Sequence, residues 1–172
     1  MLDGAQNCPG GRMGFGEAVA TCFRKYATFR GRARRSEYWY FALFGILASI
    51  PAVILDKVFA PHEDRGPFSA VLSLVLFLPQ ISVTVRRLHD TGRSGWWYGG
   101  LFVYLIGATM LGMMVIFGPA GTGSKGPVAQ IIVTALAFGA IAYFVWLFVL
   151  TVFDGTAGPN AYGPDPKEPA AT

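Results

Sequence analysis

Two stretches, WWYGGLFVYLIGATMLGMMVIFG (96–118) and VAQIIVTALAFGAIAYFVWLFVLTVF (128–153), contain no Asp, Glu, Lys, Arg or His. Two earlier ones, YWYFALFGILASIPAVIL (38–55) and FSAVLSLVLFLPQISVTV (68–85), are free of charge in the same way. A helix crosses the ~30 Å hydrocarbon layer of a bilayer with about 20 apolar residues. Lipid offers no hydrogen bonds to an exposed backbone, so each stretch must close its own bonds as a helix. The fold class is therefore all-α: a polytopic membrane protein of four transmembrane helices. The rival, a soluble helical bundle, needs polar outer faces on its helices. Charged residues make up 14% of this chain, well below the ~25% of soluble domains, and helices apolar all round have no such faces.

The connecting segments carry the charge, and their asymmetry sets an orientation. Arg12, Arg24, Lys25, Arg30, Arg32, Arg34 and Arg35 precede the first span; Arg86, Arg87 and Arg93 join spans two and three; Lys167 follows span four. Only Lys57, Arg65 and Lys125 lie on the other side. The expectation is a multi-pass membrane protein with both termini in the cytoplasm. Residues 1–14 lack the continuous apolar core of a signal peptide, so the first span directs insertion. Cys8 and Cys22 both precede that span and are expected as reduced thiols.

In domain terms, residues 1–13 read as a flexible start, 14–166 as one four-span membrane domain, and 167–172 as a disordered tail. Phe15, Val19, Cys22, Phe23 and Tyr26 recur with helical period. They predict a short N-terminal amphipathic helix, either lying on the inner leaflet or packed on the bundle. Ser36 is a candidate N-cap for the first span, and Glu37 suits that helix's positive end. Pro51 and Pro79 fall inside spans and remove backbone donors. Ala108/Gly112 and Ala135/Gly139 have the small-residue spacing that lets helices approach closely.

The densest motif, Arg86-Arg87-Leu88-His89-Asp90-Thr91-Gly92-Arg93-Ser94-Gly95-Trp96-Trp97, joins spans two and three. Most of it reads as helix termination: cations at the negative end of a helix dipole, Gly92 as breaker, Ser94 capping the next helix, and tryptophans at the interface. Asp90 is the misfit, because a carboxylate at a helix C-terminus is unfavourable unless something offsets it. Arg86, four residues earlier, offers one partner, and the arginine-rich segment before span one offers others. A sharper reading makes the 91–95 turn an anion site, its backbone N–H groups cradling a phosphate. Anionic phospholipid headgroups would then be held by Arg86, Arg87, Arg93 and Ser94 together with Arg32, Arg34 and Arg35. Asp90 cannot orient His89 as a catalytic dyad, because neighbours on a helix point about 100° apart. No catalytic or metal-binding residue, no cofactor and no nucleic-acid partner is assigned. The spans also hold none of the ionisable groups that coupled transporters use.

The Phe29–Trp39 segment, the Pro79 helix running into Arg86–Trp97, and the tail Gly158-Pro159-Asn160-Ala161-Tyr162-Gly163-Pro164-Asp165-Pro166 together resemble the bacterial inner-membrane family known as domain of unknown function 805, the YhaH-like proteins. Ala161 stands where related proteins commonly carry a polar or basic residue. The resemblance covers roughly Phe15 to Pro166 and implies an inner-membrane location without implying an activity. All three motifs fall on the same cytoplasmic face, so a polar cluster of Glu37, His89, Asp90, Asn160 and Tyr162 is expected there, with the two carboxylates paired to arginines. The functional expectation is a non-enzymatic scaffold binding membrane lipid or a membrane partner, itself included as a homo-oligomer. The alternatives are a small-solute transporter or oligomeric channel, and a headgroup-modifying enzyme using His89 with Glu37 or Asp154.

Overall fold

The structure is a computed structural model, and it describes residues 13–61, 66–117 and 126–167. The flexible start expected over 1–13, apart from residue 13, and the disordered tail expected over 167–172, apart from residue 167, lie outside these residues, as do Cys8, Arg12, His62, Arg65 and Lys125. Five helices follow one another: α1 (Phe15–Arg24), α2 (Arg35–Phe59), α3 (Pro67–Asp90), α4 (Trp96–Phe117) and α5 (Pro127–Val152). The last four are long and apolar enough to cross a membrane. The helices outrun the charge-free stretches: α2 begins at Arg35 and α3 continues through Arg86 and Arg87 to Asp90. Ser36 lies inside the first turn of α2, and the N-cap position belongs to Arg34, whose extended backbone (φ −65°, ψ 155°) makes no side-chain cap bond.

The chain forms two compact units, one of α1–α3 with the C-terminal tail from Asp154, the other of α4 and α5. In the first, α1 lies against α2 and α3, with Ala18 and Cys22 turned inward one helical turn apart. Cys22, Ala33, Phe41 and Val83 form its core, flanked by Tyr38, Phe44 and Leu76. Phe23 meets Phe41 and Phe44 edge-on at 5.8 and 5.9 Å.

The segment between α1 and α2 is fastened along α3 by polar contacts. Pro79 has no N–H, so the carbonyl of Val75 loses its helical donor. Tyr26 supplies the missing bond, its hydroxyl donating to Val75 O at 2.7 Å. Ser82, fully buried, donates towards the carbonyls of Lys25 (3.0 Å) and Thr28 (2.7 Å). Ala33 N–H closes the series on Arg86 O at 3.1 Å. At the far end of the same helix pair, Asp56 of α2 caps α3. Its two carboxylate oxygens accept the N–H groups of Phe68 (2.8 Å) and Ser69 (2.9 Å), two donors that a helix start leaves unsatisfied. Gly66 is required there, because a Cβ would run into that carboxylate.

In the second unit, α4 and α5 are joined by a reciprocal pair of tyrosines. Tyr104 donates to Leu136 O at 2.9 Å, and Tyr143 donates to Trp97 O at 2.7 Å. Each hydroxyl crosses the opposite helix at a glycine, Gly139 and Gly100 respectively, where a Cβ would collide with it. Gly139 therefore admits a tyrosine, while a Cβ at Gly112 would meet no atom of the described residues within 4 Å.

Candidate functional site: a buried ionic cluster

The C-terminal end of α3 leaves carbonyls without helical partners, and each partner it acquires brings in another segment. Thr91 and Arg93 N–H donate to Leu88 O, and Gly92 N–H donates to His89 O. Gly92 takes φ +73°, the left-handed conformation that lets the chain turn back here. His89 O also accepts Asn160 Nδ2 at 2.9 Å. Asp90 O accepts both the backbone N–H (2.9 Å) and the hydroxyl (3.2 Å) of Thr156. The tail is thus a tertiary cap for α3.

Three ion pairs lie directly beneath, built on two carboxylates. Arg86 Nη1 meets Glu37 Oε1 at 2.5 Å, joining the end of α3 to the start of α2. Asp90 takes Arg32 Nε on one oxygen at 2.8 Å and Arg87 Nη1 on the other. Arg86 and Arg87 are fully buried, and Glu37 and Asp90 nearly so. Isolated charges at such positions are strongly disfavoured, so each acid is what makes its neighbouring arginines tolerable. Arg32 also grips the tail, donating Nη1 to Gly158 O (2.6 Å) and Nη2 to Thr156 O (2.5 Å). Gly155 lets the tail pass the Asp90 carboxylate, with which a Cβ would clash. Outside this core, Arg34 Nε donates to Pro166 O at 2.5 Å, and Asp154 pairs with Arg35 and with Lys167 (3.0 Å).

Arg86 is less well served than its neighbours: Nε and Nη2 are buried with no hydrogen-bond partner among the described residues. Cys22 borders the same pair, its thiol donating to Glu37 Oε1 at 3.8 Å. Burial, reinforced by the Glu37 charge, pushes that thiol up to about 12. In the tail, the hydrogen bond from Lys167 holds the Asp154 carboxyl below its usual range. The N–H of Lys167, followed by that of Gly158, does the same for Asp165.

His89 is held rather than presented. Its Nδ1 faces Gly31 O at 3.2 Å, and Tyr162 stacks on its ring at 4.0 Å with planes 4° apart. Among the described residues no hydrogen bond joins His89 to a carboxylate. Glu37 is bonded to Arg86 and Cys22, and Asp154 to Arg35 and Lys167.

Glu37, His89, Asp90, Asn160 and Tyr162 thus come together in the first unit, with Arg32, Arg86 and Arg87 between them. Asp90's partners are Arg32 and Arg87; Arg86, the candidate four residues earlier, turns to Glu37 instead. Of the backbone donors in the 91–95 turn, the N–H groups of Thr91, Gly92 and Arg93 are spent on closing α3. Ser94 begins the second unit, and its hydroxyl accepts Trp96 N–H at 3.3 Å as the start of α4. Sequence reasoning missed Thr156, Gly155, Ser82 and Tyr26. Only Tyr26 had a legible signal, since Pro79 guarantees one unpaired carbonyl at Val75. Among the described residues no group of three or more His, Cys, Asp or Glu could hold a metal ion.

Residues 26–164 match the protein family described as "Protein of unknown function (DUF805)". The chain is 33% identical over 149 residues to the inner membrane protein YhaH of Escherichia coli strain K12, covering 84% of this chain and 91% of that protein. It is 32% identical over 147 residues to the inner membrane protein YhaI of the same strain, covering 84% and 90%. The uncharacterized protein YiiR of that strain is 27% identical over 146 residues, covering 82% and 87%. No solved structure matches the chain.

Proposed function

This chain belongs to the DUF805 family of unknown function, and from its own geometry we propose that it is a non-enzymatic scaffold of the inner membrane that engages anionic phospholipid at its cytoplasmic rim. The observation that carries the reading is the mutual neutralisation of the motif residues. Glu37 and Asp90 are consumed by Arg86, Arg87 and Arg32, and His89 is covered by Tyr162. Groups meant for proton transfer need access to a reacting atom at hydrogen-bond distance; these are spent on joining α2, α3 and the tail. The same burial removes Arg32, Arg86 and Arg87 from the set of cations that can meet a headgroup, and leaves that task to cations outside the cluster.

The excess of Lys and Arg on the side of both termini supports a cytoplasmic location for them. A reporter fused after Thr172 tests this: activity of a cytoplasmic reporter is expected, and activity only of a periplasmic one overturns it. Native mass spectrometry of the protein released from its own membranes tests the lipid reading. Retained phosphatidylglycerol or cardiolipin in excess of zwitterionic lipid is expected; a bare protein, or lipid in membrane proportion, refutes it.

A further inference from the structure

Three cations of α1 and the segment that follows it stand outside the ionic cluster. Arg24, Lys25 and Arg30 are exposed and belong to no ion pair among the described residues. Arg24 makes only a 3.4 Å contact to Thr21. The acid on α1 is Glu17, two turns before Arg24. Interleaved with them are three aromatic rings, Phe15, Phe23 and Phe29, each about two-fifths exposed.

Their depth follows from what they are fastened to. The cluster at Glu37, Arg86 and Asp90 marks the level where charge begins on α2 and α3. Ser82, which holds Lys25 and Thr28, lies one turn inward from Arg86, ~6 Å along a helix rising 1.5 Å per residue. Phe44, which meets Phe23, lies two turns inward from Glu37, ~10 Å on the same count. Interfacial helices sit with their apolar face ~5–10 Å into the boundary between headgroups and acyl chains. Helix α1 and the 25–30 segment are therefore fastened at that depth, with the Tyr26 ring reaching further inward to Val75 O, ~16 Å from Arg86 on the same count, phenylalanines at acyl level, and cations on long stems able to reach back to phosphate.

We infer that Arg24, Lys25 and Arg30, with Phe15, Phe23 and Phe29, form an in-plane binding surface for anionic phospholipids of the leaflet adjoining α1. This rests on the lipid reading above and gives it a location distinct from the Arg86–Ser94 motif. A basic residue near an anionic surface contributes ~1 kcal/mol, which is about fivefold in preference per charge.

The test uses the full chain in nanodiscs of equal phosphatidylglycerol and phosphatidylcholine, analysed by native mass spectrometry after release. The triple variant Arg24→Gln/Lys25→Gln/Arg30→Gln is compared with wild type and with Arg93→Gln. The expected result is a phosphatidylglycerol preference in wild type and in Arg93→Gln that falls more than tenfold in the triple variant, with thermal stability unchanged. A preference kept by the triple variant overturns this location while leaving the lipid reading standing, and one lost in Arg93→Gln assigns it to the α3–α4 turn. No preference in wild type overturns both.

Discussion

Replacing Asp90 by alanine removes the one carboxylate that two buried guanidinium groups share. Arg32 Nε and Arg87 Nη1 occupy its separate oxygens, with side-chain exposures of 1% and 0%. Breaking a buried pair by deleting one partner costs about 3–5 kcal/mol, because the remaining charge is stranded. Two stranded arginines put Asp90→Ala at the top of that range, about 4–5 kcal/mol. At ~2–4 °C per kcal/mol for a chain of this size, the melting temperature falls by about 8–20 °C. Arg32→Ala is the discriminating companion. It leaves the Arg87–Asp90 pair intact but removes the donors to Thr156 O and Gly158 O, so it frees the tail at a smaller cost in melting temperature. The assay is thermal unfolding in one detergent or nanodisc, read alongside protease cleavage of the 154–167 segment. An Asp90→Ala protein that melts within ~2 °C of wild type with an equally protected tail refutes the reasoning.

Glu37→Gln strands Arg86, whose Nε and Nη2 already lack partners among the described residues, and costs about 3 kcal/mol or more; Glu37→Leu/Arg86→Met removes the pair together and recovers most of that loss in the same melting assay. Tyr26→Phe costs about 1 kcal/mol by freeing Val75 O. In a Pro79→Ala background, where the helix restores its own donor, that cost shrinks, and a double-mutant cycle of melting temperatures measures the coupling. Cys22, with its thiol raised from 9.0 to about 12, holds about a thousandfold less thiolate at pH 8 than an ordinary cysteine and reacts with iodoacetamide more slowly; Cys8→Ser protein isolates the signal. A thiol raised in the folded state favours folding below its unfolded value. That contribution is lost as pH climbs from about 9 towards 12, and pH-dependent melting above 9 checks the sign.

The four spans are legible because charge is absent over lengths that only a membrane helix needs. Their ends are not, because α3 runs on through Arg86 and Arg87 only by virtue of acids that pair with them. One of those acids, Glu37, stands 49 residues away in sequence. Read locally, Glu37 complements a helix dipole; in the fold it is a buried counter-ion. Asp90's status as a misfit at a helix C-terminus was visible in the sequence, yet its choice of Arg87 and Arg32 over Arg86 depends on which face of α3 meets the segment before α2. Thr156 and Gly155 sit in an undistinguished stretch, and only the geometry of the tail over α3 gives them roles. Asp56 illustrates the same limit, since its use as a cap for α3 depends on the α2–α3 pairing and not on any local pattern.

The tail is a structural part of the cluster: its Thr156 N–H is bonded to Asp90 O, and its Asn160 and Gly163 N–H groups are bonded to each other's carbonyls. Hydrogen exchange of the full chain in nanodiscs, resolved to individual amides, tests it most directly. Thr156, Asn160 and Gly163 are expected to exchange as slowly as the last turn of α3 in wild type, and rapidly in Arg32→Ala. Amides of 156–163 that exchange at unstructured rates in wild type, beside a protected α3, would contradict it.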